Sequence, residues 1–238
     1  KEHADLIIHA GDMFHENKPS RRTMHNTIGI LRKYCYGDDS VYMSILNNPN
    51  EVAVVSSSSS SSGNSVDREV NFENPYQAIC LPYFAIHGNH DDPSREGTGG
   101  SALSAMDLLS VSGCVNYFGK SDKVDEICIK PILLKKKDTY IALYGLGAIR
   151  DERLNRMWRD GKVTFCRPDD DVLDADSSGQ NNQKKYFNIF VVHQNRDYGR
   201  GSKNCISESM LPGWMDVIIW GNEHEHKPGL YESLIGHF

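Results

Sequence analysis

The chain has 238 residues, of which 39% are hydrophobic and 24% charged, and its formal net charge is −6. This length supports one large α/β domain or two small ones, and the negative charge excludes a simple cationic protein that coats DNA. No apolar run approaches the roughly 20 residues that span a bilayer, so no membrane is expected as a partner.

The predicted elements alternate between short apolar strands and amphipathic helices. Strands are predicted where β-branched and aromatic residues cluster, and helices where apolar residues recur every three or four positions, as with Met24, Ile28 and Leu31. In chain order the predicted elements are strand 6–10, helix 21–34, strand 83–86, helix 101–110, strand 140–144, helix 151–158, strand 187–192 and strand 217–220. This alternation predicts an α/β layer fold. Because the chain begins almost directly in a strand-like segment, we also expect further residues upstream of it.

Two stretches have little to bury and are predicted to be disordered insert loops. The first, 51–70, contains an uninterrupted serine run, and the second, 167–185, is rich in Asp, Ser, Gln and Asn. Polar motifs lie on both sides of each stretch, so we predict one domain over 1–238. The six scattered cysteines contain no CxxC pair and predict free thiols in a reducing compartment.

Four polar clusters each follow a predicted strand. They are GDMFH from Gly11, GNHDD from Gly88, HQ from His193 and GNEH from Gly221. Because α/β proteins build sites at the carboxyl ends of their strands, we expect these clusters to meet. Asp, Asn and His together form a mixed oxygen and nitrogen donor set. Such a set suits Mn²⁺ and differs from the thiolate ligands of a structural zinc site. Two such ions about 3.5–4 Å apart can clamp a phosphate and lower the pKa of a water.

The order of these motifs resembles the calcineurin-like metallophosphoesterases, and longer strings resemble the eukaryotic Mre-eleven family of DNA double-strand-break repair nucleases. The strings are GDMFHENKPSRR, IHGNHDDPS, VNYFGKS, IALYGLGAIRDERLNRMW, VVHQNR and WGNEHEH. The resemblance covers nearly the whole chain except the two predicted loops. It implies a four-layer α/β/β/α sandwich and hydrolysis of DNA phosphodiesters with two Mn²⁺ ions. The implied activities are a 3′–5′ exonuclease on double-stranded ends and an endonuclease on single strands and hairpins.

The resemblance also implies a role for individual metal ligands. Asp12 resembles the carboxylate that bridges both ions. Asn89 and His193 resemble ligands of one ion, and His224 resembles a ligand of the other.

Two further histidines have implied roles at the substrate. His90 is similar to the catalytic histidine near the scissile phosphate, and His15 resembles the residue that contacts the phosphate of the DNA end. His87 is predicted to be an ordinary structural residue, with support of the site as the alternative, and Asp91 is predicted to be a turn residue that supports the ligands without binding metal.

The resemblance implies partners and a location as well. The partners are DNA ends, an SMC-like coiled-coil ATPase, a nibrin-type scaffold and a second copy of the chain, and the location is the nucleus. The helices predicted at 21–34 and 101–110 resemble the family's dimerisation surface, although their apolar stripes are equally compatible with a core position.

The sequence departs from the family pattern at two points. No Asp-x-His motif occurs in the chain, so we expect the family's first strand to be lacking and one ion to be under-coordinated. Asn222 stands where the family's Gly-His-x-His motif has its first histidine, and an amide oxygen is a weaker ligand than imidazole. A two-residue slip would instead pair His224 with His226.

These departures leave three interpretations open. The chain is an active nuclease, a catalytically weakened scaffold that binds DNA ends, or a phosphomonoesterase of the same superfamily.

Overall fold

The computed structural model describes residues 3–47, 70–94, 102–121, 125–168, 186–197, 203–225, 229 and 231–232. In chain order the elements are β1 (Ile7–Ala10), α1 (Arg21–Cys35), β2 (Ser44–Ile45), β3 (Tyr83–Ile86), α2 (Ala105–Val111), β4 (Asn116–Tyr117), β5 (Ile127–Ile129), β6 (Ile132–Lys136), β7 (Thr139–Leu146), α3 (Asp151–Arg159), β8 (Val163–Phe165), β9 (Phe187–His193), a 3-10 helix (Glu208–Met210) and β10 (Val217–Gly221). Each strand and helix predicted from the sequence is present.

The strands of the described residues form two main sheets and a ribbon. A three-stranded parallel sheet has the order β1-β3-β4, and a five-stranded sheet has the order β10-β9-β7-β6-β2. In the larger sheet β10, β9 and β7 are parallel, whereas β6 and β2 are antiparallel to their neighbours. Strands β5 and β8 pair in parallel as the ribbon.

The two sheets pack face to face, and helices cover their outer faces. Because side chains alternate across a strand, Phe84 and Ile86 of β3 point into the core between the sheets, where they join Leu143 of β7 and Val191 of β9. Ala85, between the two β3 residues, belongs to the core beneath the outer helices.

The outer cores complete four layers. Leu31 of α1 and Met106 of α2 pack on the outer face of the three-stranded sheet. On the other side, Leu154 of α3 packs with Tyr144 and Phe190 on the outer face of the five-stranded sheet. The predicted α/β/β/α sandwich is therefore confirmed.

Local hydrogen bonds explain where two helices begin. The Ser20 side chain accepts from the Thr23 amide at the start of α1. At α2, Ser104 and Asp107 form a reciprocal capping box, so this helix starts at Ala105, later than predicted. No helix in the described part of the chain is both long and apolar enough to cross a membrane.

The expectation of free thiols is wrong for one pair of cysteines. Cys128 of β5 and Cys166, which follows β8, form a disulfide. Parallel pairing brings them together, because the Cys166 amide donates to the Ile129 carbonyl at 2.9 Å. The other four cysteines form no disulfide in the described part of the chain, as predicted.

The two predicted loops fall largely outside the described residues. Of 51–70 only Val70 is described, and it is buried in the core between the sheets. Of 167–185 only Arg167 and Pro168 are described, and the Arg167 guanidinium lies 5.0 Å from the centre of the Trp214 ring.

Candidate metal centre

The carboxyl ends of four parallel strands meet at one edge of the sandwich. Asp12 follows β1, Asn89 follows β3, His193 ends β9 and Asn222 follows β10. The two sheets come together there, because His193 contacts the carbonyl of Ala10 across the interface. The expectation that the four motifs share one edge is confirmed.

Three ligand-type atoms converge around the His193 ring. Its Nε2 lies 3.1 Å from the Asn89 Oδ1 and 3.4 Å from the Asp12 Oδ2. Its Nδ1 lies 2.6 Å from the Ala10 carbonyl oxygen. A carbonyl can only accept, so Nδ1 carries the proton in that bond, and in the neutral ring Nε2 presents a lone pair to the two oxygens.

This donor set fits a divalent cation. A lone pair, a carboxylate oxygen and an amide oxygen that face one another need a positive charge between them. Two donor atoms each about 2.1 Å from one ion are about 3.0 Å apart at a right angle and about 3.4 Å apart at a tetrahedral angle. The observed separations match those values. Within the described ranges, no group of three or more His, Cys, Asp and Glu side chains could hold a metal, so the amide of Asn89 is essential to this set.

Two glycines allow the site loops to approach each other. A Cβ at Gly88 would overlap the Asp12 carboxylate, and a Cβ at Gly11 would overlap the His193 ring. The glycines of the first two motifs are therefore required by close packing around the donor atoms.

Asp91 links the first two motif loops through hydrogen bonds. Its fully buried carboxylate accepts from the amides of Gly88 at 2.6 Å, Met13 at 2.8 Å and Phe14 at 3.3 Å. The Met13 and Phe14 bonds join the two loops, and Asp12 adds a third bond between them, because its Oδ1 accepts from the His90 amide at 3.0 Å. The geometry agrees with the expectation that Asp91 supports the ligands.

His90 and His15 stand side by side next to the donor set. Their rings stack with centres 5.0 Å apart, and the His90 Nδ1 lies 2.9 Å from the His15 carbonyl oxygen. Nδ1 is therefore the protonated donor of that bond, which leaves Nε2 as the ring nitrogen available to a substrate. His15 itself is exposed.

The fourth motif is arranged differently from the other three. Asn222 has a left-handed backbone, with φ of 77°, and its amide nitrogen donates to the Asn195 Oδ1 at 2.7 Å. His224 is exposed and forms no hydrogen bond or ion pair with the described residues. The structure thus does not bring His224 to the donor set, and His226 lies outside the described residues.

Two other histidines are buried behind the site. The His87 Nδ1 and the Tyr117 hydroxyl form a hydrogen bond of 2.7 Å, and burial lowers the pKa of the His87 ring to about 4. Burial also lowers the pKa of His9. Both rings are neutral at physiological pH, and His87 serves as a core residue.

The sequence motifs did not single out Asn195 and Asp151 as part of the site. Asn195 follows His193 by two residues within the VVHQNR string. Its amide group donates to the Asp151 Oδ2 at 2.7 Å, and its backbone amide lies 3.4 Å from the Asp151 Oδ1. The only sequence signal was the place of both residues inside strings that follow strands, which does not reveal a contact across 44 residues.

Comparisons with known proteins agree with this geometry. A family model described as calcineurin-like phosphoesterase matches residues 1–228. The double-strand break repair protein MRE11 of Homo sapiens is 47% identical over 223 residues, which cover 94% of this chain and 28% of that protein. The MRE11 protein of Mus musculus is 45% identical over 225 residues, with the same coverage. That of Oryza sativa subsp. indica is 44% identical over 231 residues, covering 93% of this chain and 29% of that protein.

The chain thus spans less than a third of the length of these relatives. The family match extends over nearly the whole chain and includes every strand end of the candidate centre. This chain belongs to the calcineurin-like phosphoesterase family.

Proposed function

We propose that this chain is the catalytic part of a Mn²⁺-dependent DNA phosphodiesterase that acts in double-strand-break repair in the nucleus. The convergence of the Asp12, Asn89 and His193 donor atoms carries the proposal. The relatives, which are named double-strand break repair proteins, support DNA as the substrate. The proposed activities are 3′–5′ exonuclease action on double-stranded ends and endonuclease action on single strands and hairpins.

The donor set supports Asp12, Asn89 and His193 as metal ligands, and the motif pattern supports Asn222 and His224. Asp12, Asn89 and His193 would hold one Mn²⁺ ion with Asn222, and for Asp12 to share a second ion with His224, His224 would have to leave the exposed position it has in the structure. When bound, the two ions supply positive charge to the phosphate and lower the pKa of a nearby water. The bond to the Ala10 carbonyl keeps the His193 ring in the orientation that exposes Nε2.

His90 and His15 are assigned to the substrate. The His15 carbonyl anchors His90 Nδ1, so His90 can hold or donate a proton at Nε2 beside the scissile phosphate. The exposed His15 ring, stacked on His90, would contact the phosphate at a DNA end.

The proposed partners include a second copy of the chain. Ile30 and Tyr34 of α1, and Leu108 and Val111 of α2, are all more than half exposed, which supports a homodimer formed through these helices. The apolar stripes predicted from the sequence face the core instead. The other proposed partners are an SMC-like coiled-coil ATPase and a nibrin-type scaffold.

A catalytically weakened scaffold that binds DNA ends is the second candidate. Asn222 in place of a histidine and the exposed position of His224 favour it. Loss of a residue that supports a ligand typically costs about 10–100-fold in metal affinity or activity, and a change of the ligand itself should cost at least as much.

One cleavage assay separates these functions. The chain would be joined to an upstream segment that carries an Asp-x-His motif, and cleavage of an end-labelled duplex in Mn²⁺ would be compared for the Asn222 form, Asn222→His and the Asp12→Ala blank. We expect the Asn222 form and Asn222→His to cleave the duplex, and we expect no cleavage by Asp12→Ala. Cleavage by Asn222→His alone would favour the scaffold. Hydrolysis of an aryl phosphate without DNA cleavage would favour a phosphomonoesterase, and silence from all forms would overturn the nuclease proposal.

A further inference from the structure

A chain of hydrogen bonds leads from α3 to the fourth motif. The Asn195 side-chain nitrogen donates to the Asp151 Oδ2, and the Asn222 side-chain nitrogen donates to the Asn195 Oδ1, both at 2.7 Å. The Asn195 backbone amide adds a 3.4 Å contact to the Asp151 Oδ1. Asp151 lies at the start of α3, Asn195 after β9 and Asn222 after β10, so these hydrogen bonds join three elements.

The negative charge of the Asp151 carboxylate sets the donor-to-acceptor direction of these hydrogen bonds. An ionised carboxylate can only accept hydrogen bonds, so the Asn195 side chain must turn its nitrogen toward Asp151. Its oxygen then faces Asn222, and Asn222 must turn its own nitrogen toward Asn195. The amide of Asn222 therefore has one orientation, in which its Oδ1 points away from Asn195. No described residue donates to that oxygen.

The position of Asn222 makes this orientation relevant to the donor set. The preceding residue, Gly221, pairs in register with His193 in the neighbouring strand. A Cβ at Gly221 would overlap the Ala10 carbonyl and crowd the His193 ring, so the end of β10 packs directly on the base of the candidate centre. A cation needs an oxygen from Asn222, because the nitrogen of a neutral amide has no free lone pair to offer.

We propose that Asp151 and Asn195 are positioning residues that orient Asn222 so that its side-chain oxygen binds the metal. The two hydrogen bonds that run from Asp151 through Asn195 to Asn222 form what is called the relay below. The relay allows Asn222 to bind a metal ion at the position where the family pattern has a histidine. This inference rests on the proposed function, since it assigns the metal ligand of the same site. Asp151 and Asn195 touch neither metal nor substrate and act only through the orientation of Asn222.

Exchanging the carboxylate and the amide tests the relay. In Asp151→Asn, the new amide satisfies the Asn195 backbone amide with its oxygen and donates to the Asn195 side chain with its nitrogen. Asn195 then flips, and Asn222 flips in turn to present its nitrogen to the cation. In the double variant Asp151→Asn/Asn195→Asp, the carboxylate at 195 accepts from both neighbours and returns Asn222 to its original orientation.

Mn²⁺ affinity is the quantity to measure, by calorimetric titration of the chain as it stands, with Asp12→Ala as the blank. We expect Asp151→Asn to weaken binding by about 10–100-fold and the double variant to recover most of that loss. A residue that only supports the fold would give a double variant no better than the single one. Unchanged affinity in Asp151→Asn, or no recovery in the double variant, would overturn the relay.

A measurement on the unmodified chain keeps the test independent of variant folding. On addition of Zn²⁺, the Asn222 side-chain carbonyl carbon should shift in its NMR spectrum while the protons on its nitrogen stay protected from exchange. Loss of that protection would overturn the relay. If Mn²⁺ binds with the expected variant pattern but the cleavage assay is silent, the relay stands and the nuclease proposal fails. Absence of Mn²⁺ binding to the unmodified chain would overturn both.

Discussion

Asp12 and Asn222 both have left-handed backbones directly after a strand, with φ of 57° and 77°. Few residues other than glycine adopt this conformation, and Asp, Asn and His are the ones most often found in it. The Asp12 carboxylate lies in the donor set, and the Asn222 amide bonds to Asn195. The left-handed conformation also means that Asn222→His introduces a residue type the backbone accepts, so that variant tests ligand chemistry without backbone strain.

His87 makes the stability of the fold sensitive to acid. Its pKa is about 4 in the folded protein, against 6.5 as the ordinary value. As pH falls from 6.5 to 4, the unfolded chain binds this proton and the folded chain does not, so the free energy of unfolding falls. The difference amounts to about 3 kcal/mol. We expect His87→Gln to remove this part of the pH dependence, measured by denaturant unfolding in a chelator.

The exposed His25 provides the matched control for that prediction. His25→Gln should leave the pH dependence between 6.5 and 4 as it is in the unmodified chain. His9 contributes its own acid sensitivity, because burial lowers its pKa too, and this part should remain in His87→Gln. Identical pH profiles for His87→Gln and the unmodified chain would contradict the burial argument.

At the scale of elements, the ribbon of β5 and β8 is closed by a covalent bond. The disulfide between Cys128 and Cys166 spans 38 residues of sequence, which include β6, β7, α3 and β8. In the chain-entropy model, closing a loop of this size in the unfolded chain stabilises the fold by about 4 kcal/mol, and measured values are typically about 2–4 kcal/mol. We expect Cys128→Ser to lower the free energy of unfolding of the oxidised protein by such an amount.

Reduction distinguishes the effect of breaking the disulfide on stability from the effect of replacing the Cys128 side chain. Dithiothreitol should destabilise the unmodified chain by a similar amount and leave Cys128→Ser unchanged. Cys80→Ser, at a free and partly exposed thiol, should keep the response to dithiothreitol. A chain whose unfolding is insensitive to dithiothreitol would show that the pair contributes no such stability.

At the scale of the whole molecule, the outer helices leave apolar side chains uncovered. Ile30 and Val111 are 57% and 72% exposed, on two helices that pack over the same core. A few side chains near the centre of an interface carry most of its binding energy, and a charge buried there without a partner is costly. We therefore expect a dimer in solution, and we expect Ile30→Asp to raise its dissociation constant at least about tenfold, measured by sedimentation equilibrium.

Tyr76 supplies the control for the dimer. It is 94% exposed and lies outside both helices, so Tyr76→Asp should leave the dissociation constant unchanged. Circular dichroism would check that each variant remains folded. A monomeric unmodified chain would refute dimerisation through α1 and α2.

The strands, the helices and the motifs at the strand ends could be predicted from the sequence, and the resemblance to a known family implied the four layers. Apolar periodicity located the strands and the helices, because a strand buried on both faces and an amphipathic helix each leave a regular pattern. The motifs after these strands named Asp12, Asn89 and His193 before any contact was visible, since parallel strands deliver their carboxyl ends to one edge.

The contacts that hold the site residues in place depend on the packing of distant parts of the chain. The contacts of Asp151 with Asn195, and of Cys128 with Cys166, span 44 and 38 residues. Such pairs depend on how helices and strands pack, and no local pattern records that packing. The orientation of an amide such as Asn222 is decided by the charge at the far end of a hydrogen-bond chain. Residue types are written in the sequence, whereas the direction of a hydrogen bond exists only once its partners have been brought together.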